Sequence, residues 1–170
     1  MLNTQKADNR QFCSVAGLYR IWGAYAVGIT ILAVAANWIG LILFAVLVPL
    51  VKFAQIRYYR RLSPLFGYGK LAEDLPPQST ASAPRVVTFY SAMGCPFCPI
   101  VLERLEALQL KMGFKLERVN LSLHPRFAIT KGLRSVPTIE VGDTRLIGNA
   151  SSSQLAELIE QRGQASLVAN

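Results

Sequence analysis

The chain has one histidine, His124, and three cysteines, Cys13, Cys95 and Cys98. That leaves little for a metal site within one chain, because a structural zinc wants four such ligands. Three cysteines also do not make a disulfide framework. Acidic residues are nearly missing from the first 70 positions, where eight Lys/Arg face Asp8 alone, a net +7. The other hundred positions hold ten Lys/Arg and nine Asp/Glu. The basic excess therefore flanks an apolar stretch and does not cover a binding face, which argues for membrane topology before nucleic acid. No internal repeat is visible. A cleaved leader is not expected: Ala33-Val-Ala35 has the look of a cleavage site, but 16 further uncharged positions follow it.

Charge is absent altogether from 21 to 51, a run of 31 residues in a chain whose mean hydropathy is +0.32. No soluble core helix reads this way. As one helix the run would be about 46 Å long, against about 30 Å of hydrocarbon. Asn37-Trp-Ile-Gly40 offers a break, since Asn and Gly suit a turn and Trp an interface. The expectation is a two-helix transmembrane hairpin, about 15–36 and 39–60, within an anchor at 14–62. Pro49 is tolerable inside its second helix, and Arg20 and Lys52 snorkel to one side. Lys6, Arg10 and Arg20 on one flank and Lys52, Arg57, Arg60 and Arg61 on the other put both ends in the cytoplasm. The alternative is a single long helix with the N-terminus outside.

Residues 1–13 read as a polar, poorly ordered tail. Its Cys13 reads as incidental, or else as a juxtamembrane lipidation site. A basic, aromatic juxtamembrane segment and a Pro/Ser-rich linker fill 63–84 and separate the anchor from a domain at 85–163. Residues 164–170 are a C-terminal tail.

The domain is organised around Met93-Gly-Cys-Pro-Phe-Cys-Pro-Ile100. An apolar run at 86–90 precedes it and an amphipathic run at 101–112 follows, so two thiols sit where a strand turns into a helix. Thiol–disulfide exchange needs this arrangement. A helix N-terminus lowers a thiol pKa, the thiolate attacks, and a thiol three residues on resolves the mixed disulfide. The pair also reads as half of a zinc site completed by Cys13 and His124 or by a second chain.

Pro96 is placed at the first helical position. Val101, Leu105, Leu108 and Met112 share one face of that helix, which Gly113 ends. Residues 114–120 alternate as a half-buried strand, giving a parallel, right-handed β-α-β unit. A short helix at 125–131 closes at Gly132. A strand at 135–141, a Gly142-Asp143 hairpin turn and a strand at 144–148 follow. Ser151 and Gln154 form a capping box that opens a last helix, ending at Gly163.

This β-α-β-α-β-β-α order, the Cys95-Pro-Phe-Cys98 turn and the Val136-Pro137 step resemble the thioredoxin fold, and most closely its glutaredoxin-type members. The resemblance covers about 80 residues and leaves the anchor unexplained. It implies an α/β, thioredoxin-like fold preceded by the transmembrane helical hairpin. It also implies that Cys95 is the exposed nucleophile and Cys98 the resolving thiol, flanked by Pro96 and Phe97. A cis peptide before Pro137 would face them, with the Val136 backbone pairing an incoming substrate. The chain departs from the pattern in three places. Phe89 stands where thioredoxins carry a buried acid. Ser91-Ala-Met-Gly94 lacks the basic residue usual in glutaredoxins, and Asn149 follows Gly148 where they carry Gly-Gly and Asp to hold glutathione. Pro99 after Cys98 is similar to glutaredoxin-like domains of larger protein disulfide oxidoreductases.

The function implied is reduction of protein or glutathione-mixed disulfides by an enzyme of a bacterial-type inner membrane. The redox domain would be cytoplasmic, reduced by glutathione or a thioredoxin-type donor, with no covalently bound cofactor, no metal and no nucleic acid. Two other functions fit the same resemblance: an iron–sulfur or other metal carrier, and a membrane-complex component with a non-catalytic domain. His124 reads as a surface histidine or a proton shuttle. Arg126, Lys131 and Arg134 read as a solvated face or as contacts to an anionic cofactor.

Overall fold

The computed structural model describes residues 10–35, 37–62 and 86–168, with side chains to residue 161. The juxtamembrane segment and linker expected at 63–84 lie outside the described residues.

Cys13–Ser14 form a short strand, β1, that leads directly into α1, Val15–Val34. Ser14 caps α1, its Oγ accepting the Gly17 N–H. The chain turns and re-enters a helix, α2, Trp38–Leu62. The break falls where Asn37 marks it: its Oδ1 accepts the Gly40 N–H at 2.9 Å, satisfying a free donor of the first turn. Gly40 therefore belongs to α2 and not to the turn. The two helices pack through Tyr25, which donates to the Ala45 carbonyl at 3.2 Å and stacks on Phe44 at 5.4 Å. Phe44 comes so close that a Cβ on Gly28 would lie 2.9 Å from its ring. Both helices are long and apolar enough to cross a membrane, and α2, with Pro49 inside it, buries no residue.

The second part of the chain is mixed α/β. Its elements are β2 (Val86–Ser91), α3 (Cys98–Met112), β3 (Lys115–Asn120), α4 (Pro125–Thr130), β4 (Ser135–Val136), β5 (Thr138–Val141), β6 (Thr144–Ile147) and α5 (Ser152–Val168). Four strands form a mixed sheet in the order β3-β2-β5-β6, with β2 and β3 parallel and the other neighbours antiparallel. Val101, Leu105 and Leu108 of α3 and Leu155 and Ile159 of α5 bury their side chains in one core with Val87, Phe89 and Ile139 of the sheet. The capping box forms: the Gln154 N–H donates to Ser151 Oγ, and Gln154 Oε1 accepts the Ser151 N–H.

Several boundaries differ from the sequence reading. The strand expected at 135–141 breaks at Pro137 into β4 and β5, which join different sheets, because Pro137 offers no N–H to a ladder. α3 starts at Cys98, with Pro99 and not Pro96 in its first turn, because either proline suits that place. β3 starts at Lys115, leaving Phe114 buried just before it. α5 runs through Gly163 to Val168, the cost of one interior glycine being only about 1 kcal/mol.

The anchor is also docked on the domain. β1 pairs antiparallel with β4, Cys13 opposite Val136 and Ser14 opposite Ser135. The Val15 N–H donates to the Arg134 carbonyl and the Asn149 N–H to the Gln11 carbonyl. Val15 and Leu18 of α1 belong to the domain core. Tyr19 donates to the Leu121 carbonyl at 2.7 Å and the Trp22 indole to the Met93 carbonyl at 3.3 Å. From α2, Tyr59 meets Phe97 edge-on at 5.4 Å and Arg60 pairs with Glu103 at 2.8 Å. Positions 10–13 are thus not a loose tail.

Candidate thiol site

The turn after β2 places the two cysteines. The Ser122 hydroxyl accepts the Met93 N–H at 2.9 Å, and Gly94 takes a left-handed conformation (φ +84) beneath the Trp22 ring. The Cys95 N–H then closes the turn onto the Ala92 carbonyl. Pro96, Phe97 and Cys98 complete the motif, all buried. Across from it the Val136–Pro137 peptide bond is cis, and Cys95 Sγ lies 3.8 Å from the Val136 carbonyl oxygen. The structure therefore brings together all six residues singled out by sequence: Cys95, Pro96, Phe97, Cys98, Val136 and Pro137.

Two expectations for Cys95 do not hold. It is not exposed: only 2% of its surface is accessible, and 5% of that of Cys98. Nor is its thiol acidified. Its hydrogen bond with Cys13 favours the thiolate, but the hydrogen bond with Cys98, burial and the charge of a Cys98 thiolate outweigh it, pushing the Cys95 pKa up to about 12. The physical reason is position. Cys95 lies three residues ahead of the first residue of α3, among thiols and apolar side chains, and the aligned helix dipole acts only over the terminal turn.

What covers Cys95 is the chain's own β1, which the sequence reading took for a tail. The Cys13 thiol lies beside Cys95, and its pKa is raised, first by Cys95 and then by burial, against the pull of the Lys52 ammonium. Cys13 and Lys52 line a cavity of about 290 Å³ with Gly94, Pro96 and Phe97. All three cysteines are free thiols. Gly148 was not assigned a role by sequence either. At φ +95 it lets β1 pass, since a Cβ there would lie 2.9 Å from that of Arg10 and 3.1 Å from the Gln11 carbonyl. A third cysteine in a chain that carries a C-x-x-C pair is the one signal the sequence offers.

Behind the loop, Arg104 is only 3% exposed and donates to Asn149 Oδ1 and the Ala150 carbonyl, both at 2.8 Å. It fixes the segment on which Gln11 rests. The remaining candidates lie elsewhere. His124 is exposed at the N-cap of α4. Lys131 is held by Glu140 at 2.7 Å and lies over the Tyr90 ring, and Arg126 and Arg134 are exposed. Among the described residues no group of three or more His, Cys, Asp or Glu is arranged to hold a metal ion. In comparison with known proteins, the chain matches no family description and no curated protein.

Proposed function

We propose that this chain is a membrane-anchored thiol–disulfide oxidoreductase with a glutaredoxin-like, thioredoxin-type domain. The observation that carries the reading is Cys95-Pro-Phe-Cys98 facing the cis Val136–Pro137 peptide, with Cys95 Sγ 3.8 Å from the Val136 oxygen. A backbone edge beside a nucleophilic sulfur is what an extended substrate needs, because it fixes the substrate chain by main-chain hydrogen bonds while its sulfur is attacked.

In the proposed cycle, substrate displaces β1 from β4. The Cys95 thiolate attacks one sulfur of the substrate disulfide; a Cys95–substrate disulfide forms and the other sulfur leaves as a thiolate. Cys98 then attacks Cys95 Sγ and releases the second substrate thiol. The protein ends with a Cys95–Cys98 disulfide, having given two electrons, and an external thiol donor of the glutathione or thioredoxin type restores it. Because the Gly148–Asn149 segment and the Val136 edge are engaged by Gln11 and Cys13, protein disulfides suit the groove better than free glutathione. The exposed apolar faces of α1 and α2 are the surface a bilayer covers. The flanking cations put both termini and the domain in the cytoplasm.

The test uses the full chain in detergent or native membranes. Cys98→Ser should accumulate mixed disulfides with substrate proteins, and Cys95→Ser should abolish exchange. An active Cys95→Ser together with a Cys98→Ser that traps nothing would overturn the assignment. A reduction potential of about −200 to −270 mV would fit a reductant, and one near −120 mV an oxidant.

A further inference from the structure

The proposed function uses two thiols, but the structure holds three. Cys13 lies on the strand paired with β4, directly opposite Val136, the residue whose carbonyl oxygen is 3.8 Å from Cys95 Sγ. The strand is held on both sides of it, by Gln11 accepting from Asn149 and by Val15 donating to Arg134. Cys13 therefore occupies, within the chain, the place that the reading above gives to a substrate cysteine, its thiol close enough to that of Cys95 for the two to influence each other's ionisation. It is also the one member of the trio that is not buried, lying half-exposed along a cavity beside Lys52. In the reduced chain Cys95 and burial hold the Cys13 pKa up and outweigh the Lys52 ammonium; once Cys95 is tied in a disulfide, its share of that rise is gone and the cation favours the Cys13 thiolate.

We propose that Cys13 is a third redox thiol, which exchanges in cis with the Cys95–Cys98 disulfide and serves as the port through which an external thiol reductant reaches the buried pair. The inference rests on the reading of Cys95 and Cys98 as an exchanging dithiol. The step is an isomerisation. The Cys13 thiolate attacks Cys95 Sγ, the Cys95–Cys98 bond breaks, the Cys13–Cys95 bond forms, and Cys98 leaves as a thiolate that takes up the proton Cys13 lost. One disulfide replaces another, so no oxidant is needed beyond the substrate disulfide that oxidised the pair. A thiol reductant then attacks Cys13 from the cavity. The Cys13–Cys95 bond breaks and Cys95 leaves as a thiolate; a second reductant thiol clears Cys13. The chain ends with three free thiols and the reductant as a disulfide.

The experiment oxidises the full detergent-solubilised chain with diamide, quenches in acid, blocks free thiols with N-ethylmaleimide and maps the disulfides by mass spectrometry under non-reducing conditions. The wild type should yield a peptide containing Cys13 linked to the one containing Cys95, with maleimide on Cys98. Cys98→Ser should give the same link as its main product in a monomeric chain. Cys13→Ser should lose the linked peptide and keep a Cys95–Cys98 disulfide. If oxidised Cys98→Ser carries maleimide on Cys13 while Cys95 is found in intermolecular disulfides, exchange in cis is overturned and the dithiol reading stands. If Cys13→Ser forms no Cys95–Cys98 disulfide, the dithiol reading itself fails and the exchange falls with it.

Discussion

At the scale of single residues, the burial of Cys95 has a measurable pH signature. Its pKa of about 12 lies above the ordinary thiol range. The native state therefore keeps a proton that the unfolded chain loses near pH 8.5, and the associated stability is present below that pH and declines as pH rises toward 12. Urea unfolding of the reduced chain should show stability falling between about pH 9 and 11, and Cys95→Ser should flatten that fall. An unchanged slope in the variant would show that Cys95 is not the group concerned. Gly148 gives a second residue-scale prediction. An alanine there meets Arg10 and the Gln11 carbonyl at about 3 Å, on a left-handed backbone that disfavours side chains. Gly148→Ala should cost about 1–3 kcal/mol and should speed alkylation of Cys95, as β1 is pushed off the groove. Slower or equal alkylation would mean that β1 does not guard the thiol.

At the scale of elements, the question is what holds the anchor against the domain. The Arg60–Glu103 pair is short, but its side chains are 57% and 35% exposed, and such pairs contribute about 0–1 kcal/mol. Leu18 is 8% exposed within the core, where truncation costs about 2–5 kcal/mol. Leu18→Ala should therefore lower the thermal midpoint clearly, and Glu103→Ala hardly at all; the reverse order would place the docking energy in the ion pair. Much of the element order was legible because its signals are local: Asn37 at the helix break, Gly142-Asp143 at the hairpin, Ser151 with Gln154 at the last helix. The register of Cys13 on Val136 was not. A two-residue strand carries no period, and its partner lies more than a hundred positions away. The start of α3 was ambiguous for another reason, since Pro96 and Pro99 satisfy the same rule.

For the whole molecule, the turn at Asn37 returns the chain to the side from which it came, so reporters fused to the two termini should register in the same compartment. An N-terminus on the opposite side would rule out the hairpin in the membrane. The docking of α1 also sets how deep that hairpin goes. With its first two turns, to Trp22, against the domain, α1 leaves residues 23–34 for lipid, 12 residues or about 18 Å of rise. The uncharged part of α2, from Trp38 to Val51, is 14 residues, about 21 Å. Both fall short of a hydrocarbon layer of about 30 Å. In the membrane-anchored protein proposed above, the turn at Asn37 would then lie within the bilayer and not on its far side. In a Trp22→Phe background, Trp38 emission should be quenched most strongly by lipids brominated deep in the acyl chains.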